Sequence, residues 1–155
     1  MNKHAVIEAV LAELMNQLDL VRGASREAAE YATHEESRAD SKWDTQGLEA
    51  SYLAAGQGAQ VLEVGNAIQV WTTHRDAMAQ CRRIESGALF SLKLADAANW
   101  YFLSTASGGL SVEVDGKVVT VITAQSPIAR QLVGRMVGES VLLPNGTEAF
   151  IEDLC

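Results

Sequence analysis

The stretch that decides the fold is IEAVLAELMNQLDLVRGASREAAEYA, residues 7–32. Apolar and small residues recur in it in alternating steps of four and three, the heptad spacing that keeps one face of a helix against a partner helix. The residues at this spacing are Ile7, Leu11, Leu14, Leu18, Val21, Ser25, Ala28 and Ala32. Because they become smaller along the chain, the pattern predicts a coiled coil in which the partner comes closer towards residue 40.

A partner helix is predicted after a polar segment, HEESRADSKWDTQGL (34–48), which we interpret as a turn. One apolar stripe then comprises Leu48, Tyr52, Ala55, Ala59 and Leu62, and a second comprises Val61, Val64, Ile68 and Trp71. We therefore expect an antiparallel coiled-coil hairpin over residues 1–80 with its tip near 38–49. The glycines within it each weaken a helix by roughly 1 kcal/mol relative to alanine, so we expect close packing or bending there. They are Gly23, Gly56, Gly58 and Gly65.

The second half changes to a period of two, which is typical of strands. The predicted strands lie in ALFSLKLA (88–95), WYFLST (100–105), LSVEV (110–114) and KVVTVIT (117–123), with Asp115-Gly116 as a two-residue hairpin turn. Ser126 and Pro127 suit the N-cap and first position of a short helix, which Gly134 or Gly138 ends. Two further strands flank a turn at residues 144–146. Residues 84–155 are therefore predicted to form a small antiparallel β domain, and the class is α+β.

The composition of the chain argues against some classes of function. The chain has 155 residues and a formal net charge of -8, which argues against wrapping of nucleic acid because that needs a positive face. We expect a protein partner, no direct binding of free DNA and no membrane contact. Cys81 and Cys155 have no metal-ligand spacing and are interpreted as free thiols. No signal-peptide or membrane-spanning pattern is present, so we expect a cytoplasmic protein.

Carboxylates concentrate at the predicted tip. Asp40, Asp44 and Glu49 lie there, and oxygen ligands of this kind can share a divalent cation that activates water. The alternative is a solvated polar loop. Trp43 either packs over Leu48 and Tyr52 or is exposed for binding to a partner surface. The three histidines are scattered, so no nucleophile triad is predicted, and no glycine-rich phosphate-binding motif occurs.

The closing segment, VITAQSPIARQLVGRMVGESVLLPNGTEAFIEDL (121–154), resembles the end of the Gre-type bacterial transcription elongation factors. The matching positions are Ser126, Pro127 and Ala129, then Leu132 to Gly134, then Val137, Gly138 and Glu139. The resemblance covers the whole plan, because family members place a coiled-coil hairpin before an FKBP-like β domain. It implies bacterial RNA polymerase as the partner, with the hairpin in the secondary channel and contact with nascent RNA only inside the polymerase.

The resemblance also implies site residues. The family tip holds an Asp and a Glu that help bind a second Mg²⁺ of the polymerase active site and promote hydrolysis of backtracked RNA. Asp44, Ala50 and Tyr52 match if one residue is inserted, and Leu48 then falls at the place of the Glu. The catalytic candidates are therefore Asp44 with Glu49 or Asp40, with Asp44 and Glu49 as metal ligands. The resemblance implies no tightly bound cofactor and no enzyme activity of the chain alone.

Partner-binding candidates are Lys42 and Trp43 at the tip, and Ser126 and Pro127 in the β domain, which in the family docks on a coiled coil at the channel rim. Helix capping alone would also explain Ser126 and Pro127. Two other hypotheses stay open. One is a regulator that occupies the channel without promoting cleavage, and the other is an adaptor that binds another protein or self-associates.

Overall fold

The computed structural model describes residues 1–33, 46–77, 80–94 and 97–155, and it confirms the α+β class. Two long helices precede a six-stranded sheet, and a short helix lies between the fourth and fifth strands. The helices are α1 (Lys3–Thr33), α2 (Gln46–Ala77) and α3 (Pro127–Leu132). The strands are β1 (Leu89–Leu94), β2 (Ala97–Leu103), β3 (Ser111–Val114), β4 (Lys117–Ile122), β5 (Ser140–Leu142) and β6 (Glu148–Leu154).

The chain divides into two compact units. One is Glu13–Ile68, and the other joins Met1–Ala12 to Gln69–Cys155. The unit that contains the sheet also contains the start of α1 and the end of α2. The division into 1–80 and 84–155 stays a prediction. The coiled-coil hairpin and the FKBP-like character of the sheet unit stay predictions.

The sheet is mixed rather than wholly antiparallel. Its strand order is β3-β4-β2-β1-β6-β5, and β4 pairs with β2 in parallel. The prediction of an antiparallel meander is therefore wrong at this pair. The physical reason is burial: Val119 and Val121 of β4 are fully buried, so β4 takes the interior position next to β2 and leaves the more exposed β3 at the edge. The predicted Asp115-Gly116 turn joining β3 to β4 is confirmed, because both residues have positive φ, 54° and 71°.

One face of the sheet packs against α3. Alternate residues of β1 and β2, Phe90, Leu92 and Leu103, share a core cluster with Ala129 and Leu132 of α3. The helix begins as predicted, with Ser126 as N-cap and Pro127 at the first position, and Gly134 with φ of 84° follows its end. Burial of this face fixes the position of α3 and of the loop that follows it.

The end of α2 packs against the opposite face. The ring of Trp71 is fully buried and lies 4.7 Å, centroid to centroid, from that of Phe102 on β2. Its indole nitrogen donates a hydrogen bond of 3.1 Å to the Ser107 hydroxyl. One turn on, the His74 ring meets Phe102 edge-on at 5.4 Å, and Nε2 shares a hydrogen bond of 3.2 Å with the buried Ser104 hydroxyl. Two ring contacts and two hydrogen bonds thus hold this helix end to the sheet unit.

His74 lies in an environment that disfavours its charged form. Burial of the ring, and secondarily the positive charge of Lys3, lower the pKa of His74 below its usual 6.5. The Lys3 ammonium is itself held, because it donates a hydrogen bond of 3.2 Å to the backbone oxygen of Cys155. Neutral His74 is therefore the form that the docked helix accommodates.

The two predicted apolar stripes of α2 have different surroundings. Val61, Val64 and Ile68 are half-buried and Trp71 is buried. In the other stripe, Tyr52 and Leu62 are 71% and 69% exposed, and Ala55 and Ala59 are exposed as well. Within the part of the chain that the structure describes, close packing does not explain the helical glycines, since a Cβ added to Gly23, Gly56, Gly58 or Gly65 would meet no atom within 4 Å.

Two glycine substitutions should therefore have opposite effects. Gly65→Ala removes a flexible residue from the middle of α2 without a clash, so we expect the free energy of unfolding to rise by about 0.5–1 kcal/mol. Gly87→Ala should lower it by at least about 1 kcal/mol, because Gly87 has φ of 93° and a Cβ would lie 3.3 Å from His74 Nδ1. Denaturant unfolding followed by circular dichroism measures both, and a loss of stability in Gly65→Ala would contradict the open surroundings.

His74 should make stability depend on pH. Its folded-state pKa lies below the unfolded value of 6.5, so the unfolded chain takes up the proton first. The contribution of His74 to the free energy of unfolding is therefore full above about pH 6.5. It declines as the pH falls from there towards the folded-state pKa. We expect His74→Gln to flatten this part of the profile in denaturant titrations between pH 5 and 8. His4→Gln, at an exposed histidine, is the matched control, and an equal flattening in both variants would contradict the assignment.

Candidate partner-binding surface

The predicted tip residues lie largely outside the described part of the chain. Asp40, Lys42, Trp43 and Asp44 fall in the segment 34–45 that is not described. Glu49 lies in the first turn of α2, where the backbone is described but its side chain is not. Within residues 1–33, 46–77, 80–94 and 97–155, no three His, Cys, Asp or Glu side chains form a group that could hold a metal ion. The acid pair and its Mg²⁺ stay predictions.

Ser126 and Pro127 are described, and both serve the start of α3. The Ser126 hydroxyl accepts a hydrogen bond of 3.3 Å from the backbone N–H of Ala129, which is the N-cap contact expected of serine. Pro127 occupies the first helical position and is exposed. Their structural role is thus accounted for, and Pro127 also lies open to a partner.

The loop after α3 carries an exposed apolar surface that was not predicted from the sequence. Val133, Met136 and Val137 are 50%, 44% and 52% exposed, although all three are apolar and lie within five residues of one another. We call these three residues the α3 loop surface. The sequence contains an indication of this apolar loop, because VGRMVG (133–138) fits neither a helical nor a strand period and still contains three apolar residues.

Backbone hydrogen bonds anchor this loop at both ends. Gly134 N–H donates to Ile84 O and Ile84 N–H donates to Arg135 O, each at 2.8 Å. Further along, Gly138 N–H donates to Ile151 O at 2.9 Å and Ile151 N–H donates to Glu139 O at 3.0 Å. Because Ile84 and Ile151 are fully buried, these bonds tie the backbone of the loop to the core.

A charged pair closes the loop. Arg135 donates a hydrogen bond of 2.9 Å to Glu139 Oε2, and the Met136 N–H donates one of 3.1 Å to Glu139 Oε1. These two bonds, with a weaker charge effect of Arg83, lower the pKa of the Glu139 carboxyl. Glu139 is therefore ionised at neutral pH and forms an ion pair with Arg135 next to the apolar residues. This combination suits binding of a protein surface rather than catalysis.

Among the described residues, no helix is both long and apolar enough to cross a membrane.

Comparisons with known proteins give a limited likeness. No protein-family model matches the chain, and no curated protein sequence matches it. Among solved structures it is similar to GreA factor homolog 1 (Gfh1) of Thermus thermophilus, with 19% identity over 94% of both chains and a TM-score of 0.37. Gfh1 of Thermus aquaticus gives 18% identity over 95% and 94% of the chains and a TM-score of 0.36. A further structure of the transcription factor Gfh1 gives 20% identity, 94% of both chains and a TM-score of 0.37. Likenesses at this level of identity and TM-score do not establish a shared fold.

Proposed function

We propose that the chain is a Gre-like transcription factor that binds bacterial RNA polymerase, with the α3 loop surface as its docking site and the segment between α1 and α2 as the part that reaches the active site. The observation that carries the proposal is the anchored loop. It presents Val133, Met136 and Val137 within the segment 121–154, whose residues resemble the polymerase-docking domain of Gre factors.

The loop has the chemistry that a coiled-coil partner needs. A coiled coil exposes apolar and charged side chains along its flanks. The three apolar residues offer contact area, and the Arg135–Glu139 ion pair adds one positive and one negative group beside them. Because backbone bonds to Ile84 and Ile151 already order the loop, little conformational entropy is lost on docking.

The two long helices have the length that the proposed function requires. α1 has 31 residues and α2 has 32, so each is about 45–50 Å long at 1.5 Å per residue. The segment joining them carries Asp40 and Asp44, and Glu49 follows in the first turn of α2. Asp44, with Glu49 or Asp40, would serve as ligand to a Mg²⁺ of the polymerase active site, where the metal lowers the pKa of a bound water.

A second candidate rests on one substitution. Leu48 falls where the Gre pattern has its second acid, which favours a regulator that occupies the secondary channel without promoting cleavage. The two candidates share the docking surface and differ only in the chemistry at the tip. They are therefore separated by RNA hydrolysis and not by binding.

Docking is tested with a charged residue in the α3 loop surface. We expect Met136→Asp to weaken binding to core RNA polymerase roughly tenfold or more, since a buried carboxylate in an apolar contact costs more than about 1.4 kcal/mol. Leu142→Asp is the matched control, because Leu142 is exposed and apolar but lies on β5. The assignment of the docking site would be contradicted if both substitutions weakened polymerase binding equally, or if neither weakened it.

Cleavage is tested on a backtracked elongation complex with Mg²⁺ and saturating protein. We expect the RNA to be shortened faster when the chain is added than with polymerase alone. Asp44→Ala should lower this rate of RNA shortening at least about tenfold. Comparing Glu49→Ala with Asp40→Ala identifies the second acid, and Glu36→Ala controls for loss of charge in the same segment. If RNA is not shortened but the chain displaces an authentic cleavage factor, the cleavage role is wrong and the non-cleaving regulator is supported.

A further inference from the structure

Cys81 and Cys155 lie far apart in the sequence, but the sheet unit brings them to one lysine. The Lys3 ammonium donates a hydrogen bond of 3.8 Å to the Sγ of Cys81 and one of 3.2 Å to the backbone oxygen of Cys155. All three residues belong to the same compact unit. Both cysteines are reduced in the structure, so each carries a sulfur that can be oxidised. We call Cys81 and Cys155 the thiol pair.

The backbone holds Cys155 beside the start of β1. Its N–H donates a hydrogen bond of 2.8 Å to Leu89 O, and its carbonyl oxygen accepts one of 3.1 Å from the Leu89 N–H. Leu89 is the first residue of β1. The position of Cys155 is therefore fixed by sheet pairing and does not depend on its contact with Lys3.

Packing places Cys81 at the same end of β1. Cys81 shares a core cluster with Ala88, the residue that precedes β1. Leu154, the residue before Cys155, packs against this cluster. The shared lysine and the shared cluster are separate observations, and both bring the two cysteines together.

We propose that the thiol pair is a peroxide-sensitive site, at which Cys81 and Cys155 form a reversible disulfide within one chain. A disulfide needs two Cα atoms within about 7 Å of each other, a separation that two residues in contact with one ammonium group can reach. In a reducing compartment such bonds are transient and act as redox sensors. The inference does not depend on the proposed function, since it uses only contacts within the sheet unit.

Hydrogen peroxide is the oxidant. Cys155 is half-buried whereas Cys81 is only 9% exposed, so the Cys155 sulfur attacks a peroxide oxygen first. The O–O bond breaks, a sulfenic acid forms on Cys155, and one water leaves. The Cys81 sulfur then attacks the sulfenic sulfur, the S–O bond breaks, and a second water leaves. The two thiols lose two electrons and two protons, and one peroxide is reduced to two waters.

The disulfide closes a loop that contains the whole sheet. It joins the residue after β6 to the segment between α2 and β1, so all six strands lie between the linked positions. A link across a loop of this length removes many conformations from the unfolded chain. Oxidation should therefore stabilise the sheet unit, and a dithiol reductant should reverse the effect.

Peroxide treatment of the full chain at low concentration tests the bond. We expect the chain to stay monomeric and to lose about 2 Da, with the peptides that contain positions 81 and 155 joined, and dithiothreitol to restore the mass. The matched control combines Cys155→Ser with Ser111→Cys, which keeps two thiols but moves one to an exposed position on the edge strand β3.

We expect the wild-type chain to form its internal disulfide at least about tenfold faster than this control. Equal rates in the two chains would overturn the proposal. Disulfides only between chains, or a sulfinic acid on Cys155 with Cys81 still reduced, would also overturn it.

Denaturant unfolding tests whether the bond fits the fold. We expect the unfolding equilibrium constant of the oxidised wild-type chain to be at least about tenfold smaller than that of the reduced chain. Cys81→Ser is the control, and its unfolding should be the same before and after peroxide treatment. An oxidised wild-type chain that unfolds more readily than the reduced one would show that the bond distorts the fold, and would overturn the proposal.

Discussion

Packing of Trp71 against Phe102 is the interaction on which the sheet unit depends. It brings the end of α2 onto a face of the sheet, and the Ser107 and Ser104 hydroxyls complete the contact by bonding Trp71 and His74. With α3 on the other face, the sheet is covered on both sides, which explains why the first four residues of β1 are all buried. The sheet unit therefore includes the start of α1 and the end of α2.

Features that depend on local chemistry could be predicted from the sequence. The Asp115-Gly116 turn needs positive φ at two successive residues, and Ser126-Pro127 satisfies the start of a helix by itself. Heptad spacing likewise predicted two long helices. By contrast, the parallel pairing of β4 with β2 depends on which strand buries more apolar surface, a property of the whole sheet that no single segment contains.

The candidate site was predicted only in part, for a related reason. Ser126 and Pro127 were found because their chemistry is local, whereas the exposure of Val133, Met136 and Val137 follows from backbone bonds to distant residues such as Ile151. The two stripes of α2 show the same limit. Both have helical spacing, and periodicity alone does not say which one faces a neighbour. The stripe that ends in Trp71 carries the larger ring and is the buried one.

The proposed docking to RNA polymerase rests on the α3 loop surface. The most direct measurement is site-specific photo-crosslinking to core RNA polymerase, with a benzophenone amino acid at position 136 and, as reference, at position 118 on β4, where Val118 is also exposed. The account predicts a cross-link to a polymerase subunit from position 136 and none from position 118. Cross-links from both positions, or from neither at saturating polymerase, would contradict it.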